Sequence, residues 1–150
     1  MEHIPIKIFR NDNGQKVMLP SYMSEHAAGM DVCAAEHICI DPGKTALVKT
    51  GLFVEIPIGY ELQVRPRSGL ALKHSLLIPN APGTIDADFR GEIGVIVLNA
   101  GVQSFTIDPG DRIAQLVLNK VYHVTWQECE CYESLQSTER GEGGFGHTGA

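Results

Sequence analysis

The chain has 150 residues, 43% apolar and 20% charged, a balance that supports one folded domain and excludes intrinsic disorder. Its formal net charge is −6, so the basic footprint of a duplex nucleic-acid binder is absent. No run of about 18 apolar residues offers a membrane span, and 16 Gly with 8 Pro favour short strands and turns over long helices.

Residues 1–10 lack the apolar core of a secretion signal. Within them, 4–10 alternate as a strand that Pro5 assigns to a sheet edge. Residues 19–29 are irregular, and 28–32 enter a short strand. Asp31, taken alone, reads there as an N-cap or turn residue. Residues 38–40 are strand-like and end on Asp41-Pro42-Gly43. Residues 46–50 and 52–56 read as two strands around Gly51, Pro57-Ile58-Gly59 turns, and 60–65 is another strand.

Residues 68–74 form the helix candidate, with Ser68 as its N-cap. Just before it, Arg65 and Arg67 flank Pro66. A helix start offers free N–H groups to a phosphate, and the Ser68 hydroxyl with the Arg67 guanidinium would complete the cradle. The alternative is an ordinary capped helix with surface arginines.

Pro82-Gly83 suits the centre of a type II turn, which makes 75–88 a hairpin. Its second arm runs into 83–92, Gly-Thr-Ile-Asp-Ala-Asp-Phe-Arg-Gly-Glu, which carries more charge than a strand needs. Asp86 and Asp88 lie two apart, on one face of such a strand. One of them fits a general base toward water, while Asp88 and Glu92 also read as a plain charged arm. No Ser-His-Asp set and no zinc spacing is apparent, so a carboxylate with a metal is more economical than a covalent mechanism.

Residues 93–98 are nearly all apolar, as in a strand buried on both faces. Residues 104–107 form a strand ending at Asp108-Pro109-Gly110-Asp111, and 113–126 read as one long strand. In it Gln115 shares a face with Ile113 and Val117 and needs hydrogen-bond partners, structural or ligand. Asp111 and Arg112 read as a structural charge pair. The β core spans 1–132, and 133–150 form a mobile glycine-rich arm. Arg140 and the glycines after it would gather donors around an anion, and Phe145 offers a stacking face; a solubilising tail is the alternative. Cys33, Cys39, Cys129 and Cys131 lack a zinc pattern and read as free thiols of a cytoplasmic protein. Together the elements predict an all-β jelly roll, sandwich or barrel with one short helix.

Five stretches in order, AGMDV (28–32), RPRSGLA (65–71), GTIDADFRGEI (83–93), GDRIAQL (110–116) and RGEGGFGHTG (140–149), resemble the five motifs of the trimeric dUTP diphosphatases. The resemblance implies a jelly-roll homotrimer with shared active sites, converting dUTP and water to dUMP and pyrophosphate with Mg2+. Such an activity limits uracil incorporation into DNA and supplies dUMP for thymidylate synthesis. It implies no stable nucleic-acid or membrane partner. By motif, Asp86 matches the base. Arg67, Ser68, Gly69 and Gln115 match phosphate binders. Asn80, Gly83, Thr84 and Ile85 match the uracil reader, and Phe89 a gate against deoxyribose. Arg140, Phe145, Gly146 and Thr148 match the tail's clamp and lid, and Asp31 a contributor to the hydrated metal's surroundings. The family usually has Tyr at the Phe89 position; a bare ring keeps the steric gate, so discrimination against UTP is expected to survive. His147 stands where Ser is frequent, which predicts tail-dependent affinity that varies near the ordinary titration range of His. A dCTP deaminase, which shares the fold, and a non-catalytic nucleotide-binding trimer are the rival readings.

Overall fold

The structure is a computed structural model that describes residues 2–12, 14 and 17–145. Its strands are β1 (Lys7–Arg10), β2 (Ser21–Tyr22), β3 (Met30–Cys33), β4 (Ile38–Ile40), β5 (Thr45–Glu55) and β6 (Tyr60–Arg65). After the helix α1 (Ser68–His74) come β7 (Leu76–Leu77), β8 (Gly83–Ile85), β9 (Glu92–Asn99), β10 (Phe105–Ile107) and β11 (Arg112–Lys120). All pairings are antiparallel. One sheet has the order β1-β5-β9-β7 and another β2-β3-β11-β6-β8, while β4 and β10 form a third, two-stranded ladder. Leu52, Val95 and Val97 from the first sheet meet Val32, Leu62, Ile85 and Leu116 from the second in one buried cluster. The fold is therefore a β-sandwich of jelly-roll type. Burying each such side chain contributes about 1.5–3 kcal/mol.

Alternation in the sequence sets most of this. In β9 every second residue is buried, from Ile93 through Val95 and Val97 to Asn99. Its other face carries Gly94, Ile96 and Leu98, half-buried, so in the single chain this strand is not covered on both sides as expected. That outer face continues onto the exposed Leu47 of β5 and Leu77 of β7.

Turns fall where Gly supplies positive φ. Lys44 N–H donates to Asp41 O across Pro42-Gly43, with Gly43 at φ +72, and Asp111 N–H donates to Asp108 O across Pro109-Gly110, with Gly110 at φ +93. Gly51 is different. It does not separate two strands: β5 runs through it, its φ of +69 absorbed by a register shift between Lys49 and Phe53.

Asn99 ties the ladders together. At 1% exposure its Nδ2 donates to Ile40 O and Gln103 O, both at 2.8 Å, and its Oδ1 accepts Gly101 N–H at 2.9 Å. Beyond Lys120 the long strand expected over 113–126 stops. Residues 121–129 leave both sheets, exposing Tyr122, Val124 and Trp126, the last at 88%. A short 3-10 turn, Tyr132–Ser134, follows.

Candidate active site

The helix start is built as expected in position but not in capping. Ser68 is the first helical residue, and Arg67 occupies the N-cap without a side-chain bond. Leu70 and Ala71 N–H groups both turn back to Arg67 O at 3.1 Å. The amides of Ser68 and Gly69 stay outside the helix ladder, as first-turn donors do. Nor do the two arginines act as a pair. Arg65 lies back along its own strand, donating through Nε (3.1 Å) and Nη2 (2.7 Å) to Gln63 Oε1. Arg67 crosses to the neighbouring strands instead.

What Arg67 meets is Asp31. Its Nε donates to Asp31 Oδ1 at 3.2 Å, and its Nη1 to Arg112 O at 3.0 Å. Arg112 Nη1 donates to the other oxygen, Asp31 Oδ2, at 3.1 Å. Asp31 is thus neither an N-cap nor a turn residue: it sits within β3, its side chain 13% exposed, holding two guanidinium groups. Arg112 is not paired with Asp111, whose Oδ2 instead accepts Asp108 N–H at 2.9 Å. A bulge between Arg112 and Ala114 breaks the alternation assumed for Gln115. Gln115 lies opposite Asp31 and Arg65, and its Nε2 donates to Pro66 O at 2.9 Å. A Cβ on Gly29 would overlap Gln115 Oε1, so glycine there makes room for the amide. Arg67 and Arg112 border a cavity of about 280 Å³. Burial pushes the nearby Cys33 thiol up, with the Arg112 guanidinium opposing it.

The second group surrounds β8. β7 and β8 do not form the expected hairpin: β7 pairs with β9 in one sheet and β8 with β6 in the other. The Ala81–Pro82 bond is cis and Gly83 has no positive φ, so no type II turn forms on Pro82-Gly83. β8 is an edge strand. Its outer side carries backbone donors and acceptors with no strand beside them. A cavity of about 150 Å³ is lined by Asn80, Gly83, Thr84, Ile85, Asp86 and Phe89, with part of β9 as its wall. Strand β8 ends at Ile85, and Asp86 begins a turn closed by Phe89 N–H on Asp86 O at 3.2 Å. Asp86 and Asp88 therefore do not share a strand face. Among the described residues no donor holds the exposed Asp86 carboxylate. Arg90 and Glu92 are held within the chain: Arg90 Nη1 bonds Ala87 O (2.7 Å) and Phe89 O (2.8 Å), and Glu92 Oε1 accepts Gly51 N–H (2.8 Å).

These two groups do not meet. β8 runs antiparallel to β6, with Ile85 opposite Leu62, so Asp86 continues past the Glu61 end of β6 while Arg67 follows its Arg65 end. Four steps of extended chain separate those ends, about 13 Å, and Arg67 lies two residues further on. The two cavities share no lining residue. A third piece is the tail, where Arg140 Nε donates to Gly143 O at 2.8 Å and the Phe145 ring is fully exposed. Gly146, His147 and Thr148 lie outside the described residues.

Among the described residues no three His, Cys, Asp or Glu side chains cluster to hold a metal. Each Asp31 oxygen accepts one arginine N–H and keeps a second lone pair, which suits contact with a hydrated ion through water rather than direct ligation. A larger groove of about 450 Å³ near the N-terminus is apolar, with Glu2 and Glu25 among its lining residues, and is unsuited to an anion. No helix among the described residues is long and apolar enough to cross a membrane. Arg112 is the residue whose partner the sequence reading misassigned, pairing it with Asp111 rather than Asp31. Its signal was present, since a third arginine in a glycine-rich loop needs a carboxylate, but Asp111 beside it concealed the true partner.

The dUTPase family model matches residues 15–149. A deoxyuridine 5'-triphosphate nucleotidohydrolase of Syntrophotalea carbinolica is 52% identical over 151 residues, covering 99% of each chain. One from Desulfotalea psychrophila is 56% identical over 137 residues, covering 90% of this chain and 89% of its own. The solved dUTPase of Staphylococcus bacteriophage 80alpha with dUpNHpp has a TM-score of 0.86 at 28% identity, over 97% of this chain and 99% of that one. A phage phi11 dUTPase of S. aureus, described with a structural Mg(II) ion, shares the fold at TM-score 0.77 and 24% identity, over 87% of this chain and 99% of that one.

Proposed function

This chain belongs to the dUTPase family and is a dUTP diphosphatase, and we propose how its residues divide the reaction. The observation that carries the reading is the split site: an unengaged Asp86 in a cavity beside an open strand edge, and an arginine group beyond the opposite end of β6, around a separate cavity. Neither half is an active site alone. Joined across subunits of a homotrimer, they place a base, a nucleobase reader and a phosphate cradle around one substrate. The apolar outer face of β9, with Leu47 and Leu77 beside it, supports such assembly.

In this reading Asp86 takes a proton from water as the oxygen attacks the α-phosphorus. The bond from that phosphorus to the bridging oxygen breaks, and pyrophosphate leaves with dUMP. The backbone edge from Asn80 to Ile85 pairs with uracil. Cytosine presents a donor where uracil presents an acceptor, which leaves buried groups unpaired. Phe89 lies against the deoxyribose. Arg67, Ser68, Gly69 and Gln115 hold the phosphates, with Arg140 and Phe145 of an arm closing over them together with Gly146 and Thr148. Mg2+ would supply charge neutralisation at the phosphates, and Asp31 is the residue that would meet its water shell. The four free thiols fit a reducing cytoplasm.

The test is pyrophosphate release from dUTP, UTP, dTTP and dCTP with Mg2+, for wild type and Asp86→Asn, alongside sedimentation of the native assembly. Release from dUTP alone, lost by about 100- to 10,000-fold in the variant, is expected. Ammonia from dCTP would favour the deaminase, and no release from any nucleotide would leave only a binding protein. Truncation before Arg140 should lower turnover and leave the assembly intact.

A further inference from the structure

The residues after Asp86 carry a second layer of design. The ring of Phe89 folds back over Gly91: a Cβ at position 91 would stand 2.6 Å from Phe89 Cζ and 2.9 Å from Cε2. Gly91 lies outside the left-handed region, so alanine there brings no backbone strain. Its methyl group acts only by moving the ring. Arg90 works on the same turn from the other side. One nitrogen, Nη1, bonds the carbonyls of both Ala87 and Phe89, drawing together the Ala87–Asp88 and Phe89–Arg90 peptide groups on either side of the turn that ends in the ring. Downstream, Glu92 fixes the segment to the Gly51 amide, and Thr50 Oγ1 donates to Ile93 O at 2.6 Å, so the far end of the turn does not yield. The ring thus sits between a strand fixed by Thr50 and Glu92 and a turn closed by Arg90.

We propose that Gly91 and Arg90 are specificity-determining positioning residues: Gly91 by leaving the space in which the Phe89 ring lies, Arg90 by latching the turn that aims it. Neither is assigned a contact with substrate. The inference rests on the reading of this cavity as the nucleoside site.

The readout is the ratio of kcat/KM for dUTP to that for UTP, because a merely structural change lowers both together. Phe89→Ala and Gly91→Ala should each reduce the ratio by about tenfold or more. The double variant should fall no further than Phe89→Ala alone. Arg90→Met removes the latch without adding bulk and should lower the same ratio. Arg90→Lys should restore part of it, since a single ammonium can replace the single Nη1 that makes both bonds. If Gly91→Ala does not fold, the Arg90 pair decides. An unchanged ratio in Gly91→Ala or Arg90→Met, or equal losses from Gly91→Ala with and without the Phe89 ring, overturns the inference while the enzyme reading stands. A ratio unmoved by Phe89→Ala overturns it as well. Wild type that releases no pyrophosphate from dUTP overturns both.

Discussion

Asp31→Asn separates two roles that one carboxylate is asked to fill. In the structure both its oxygens are engaged, Oδ1 by Arg67 at 3.2 Å and Oδ2 by Arg112 at 3.1 Å. Asparagine has one acceptor oxygen, and its NH2 would face the other guanidinium donor to donor. One charge-assisted bond is lost, about 1.5–3 kcal/mol. Little of this is screened on the Arg67 side, where the two side chains are 25% and 13% exposed. More is screened on the half-exposed Arg112. Converted at about 1.4 kcal/mol per factor of ten, the loss is about 10- to 100-fold. Arg67 is the proposed phosphate binder, so the loss should enter mainly as a higher KM for dUTP, with a smaller fall in kcat. Steady-state kinetics over a range of Mg2+ up to saturation make the measurement, with thermal midpoints taken at equal protomer concentration. A KM within twofold of wild type would refute the arginine-holding argument. A defect that disappears as Mg2+ is raised would assign Asp31 to the ion's water shell instead.

Asn99→Ala leaves the carbonyls of Ile40 and Gln103 and the N–H of Gly101 without their partner, and should destabilise by about 3–5 kcal/mol in urea unfolding at fixed protomer concentration; a loss below about 1 kcal/mol would mean the site rehydrates. Gly29→Ala pushes Gln115 off Pro66 and should raise KM for dUTP without altering nucleobase preference, an effect that a Gln115→Ala background should absorb. Toward a disulfide reagent, the exposed Cys39, Cys129 and Cys131 should react promptly. Cys33 should react slowly, because burial raises its pKa and thins its thiolate, and its rate should climb as pH passes the ordinary thiol range; four equally prompt thiols would contradict this.

Local rules carried the sequence reading where structure is local. The bounds of β4, β6 and α1 follow from alternation, helix-forming Leu and Ala, and Gly turns, and the structure has them at those residues. The reading lapsed where pairing across the sandwich decides. Gly51 looks like a break, but β9 pairs with β5 on both sides of it, and the shift in register keeps one strand. The residues around Pro82 look like a hairpin turn, but β7 and β8 are claimed by different sheets. The carboxylate of Asp31 finds arginines 36 and 81 residues away, partners that no window of sequence reveals. Beta-rich composition carried the last strand past Lys120, although its extension has no partner strand among the described residues. The pieces of the candidate site stand out in the sequence because each motif is short and contiguous, and their sharing between subunits was implied by the family resemblance alone. What no motif shows is the separation of the two groups within one chain, which depends on the antiparallel run of β8 along β6.

The sole tryptophan, Trp126, lies on the segment that leaves both sheets after Lys120. Its fluorescence therefore answers to whatever rests against that arm and is nearly blind to core packing. An indole in water emits to the red, and one covered by a neighbouring subunit shifts to the blue. A blue-shifted band that moves to the red on dilution, with strand content unchanged, is what the proposed assembly would give if it covers Trp126. An indole so placed would report on the proposed assembly from outside the sandwich.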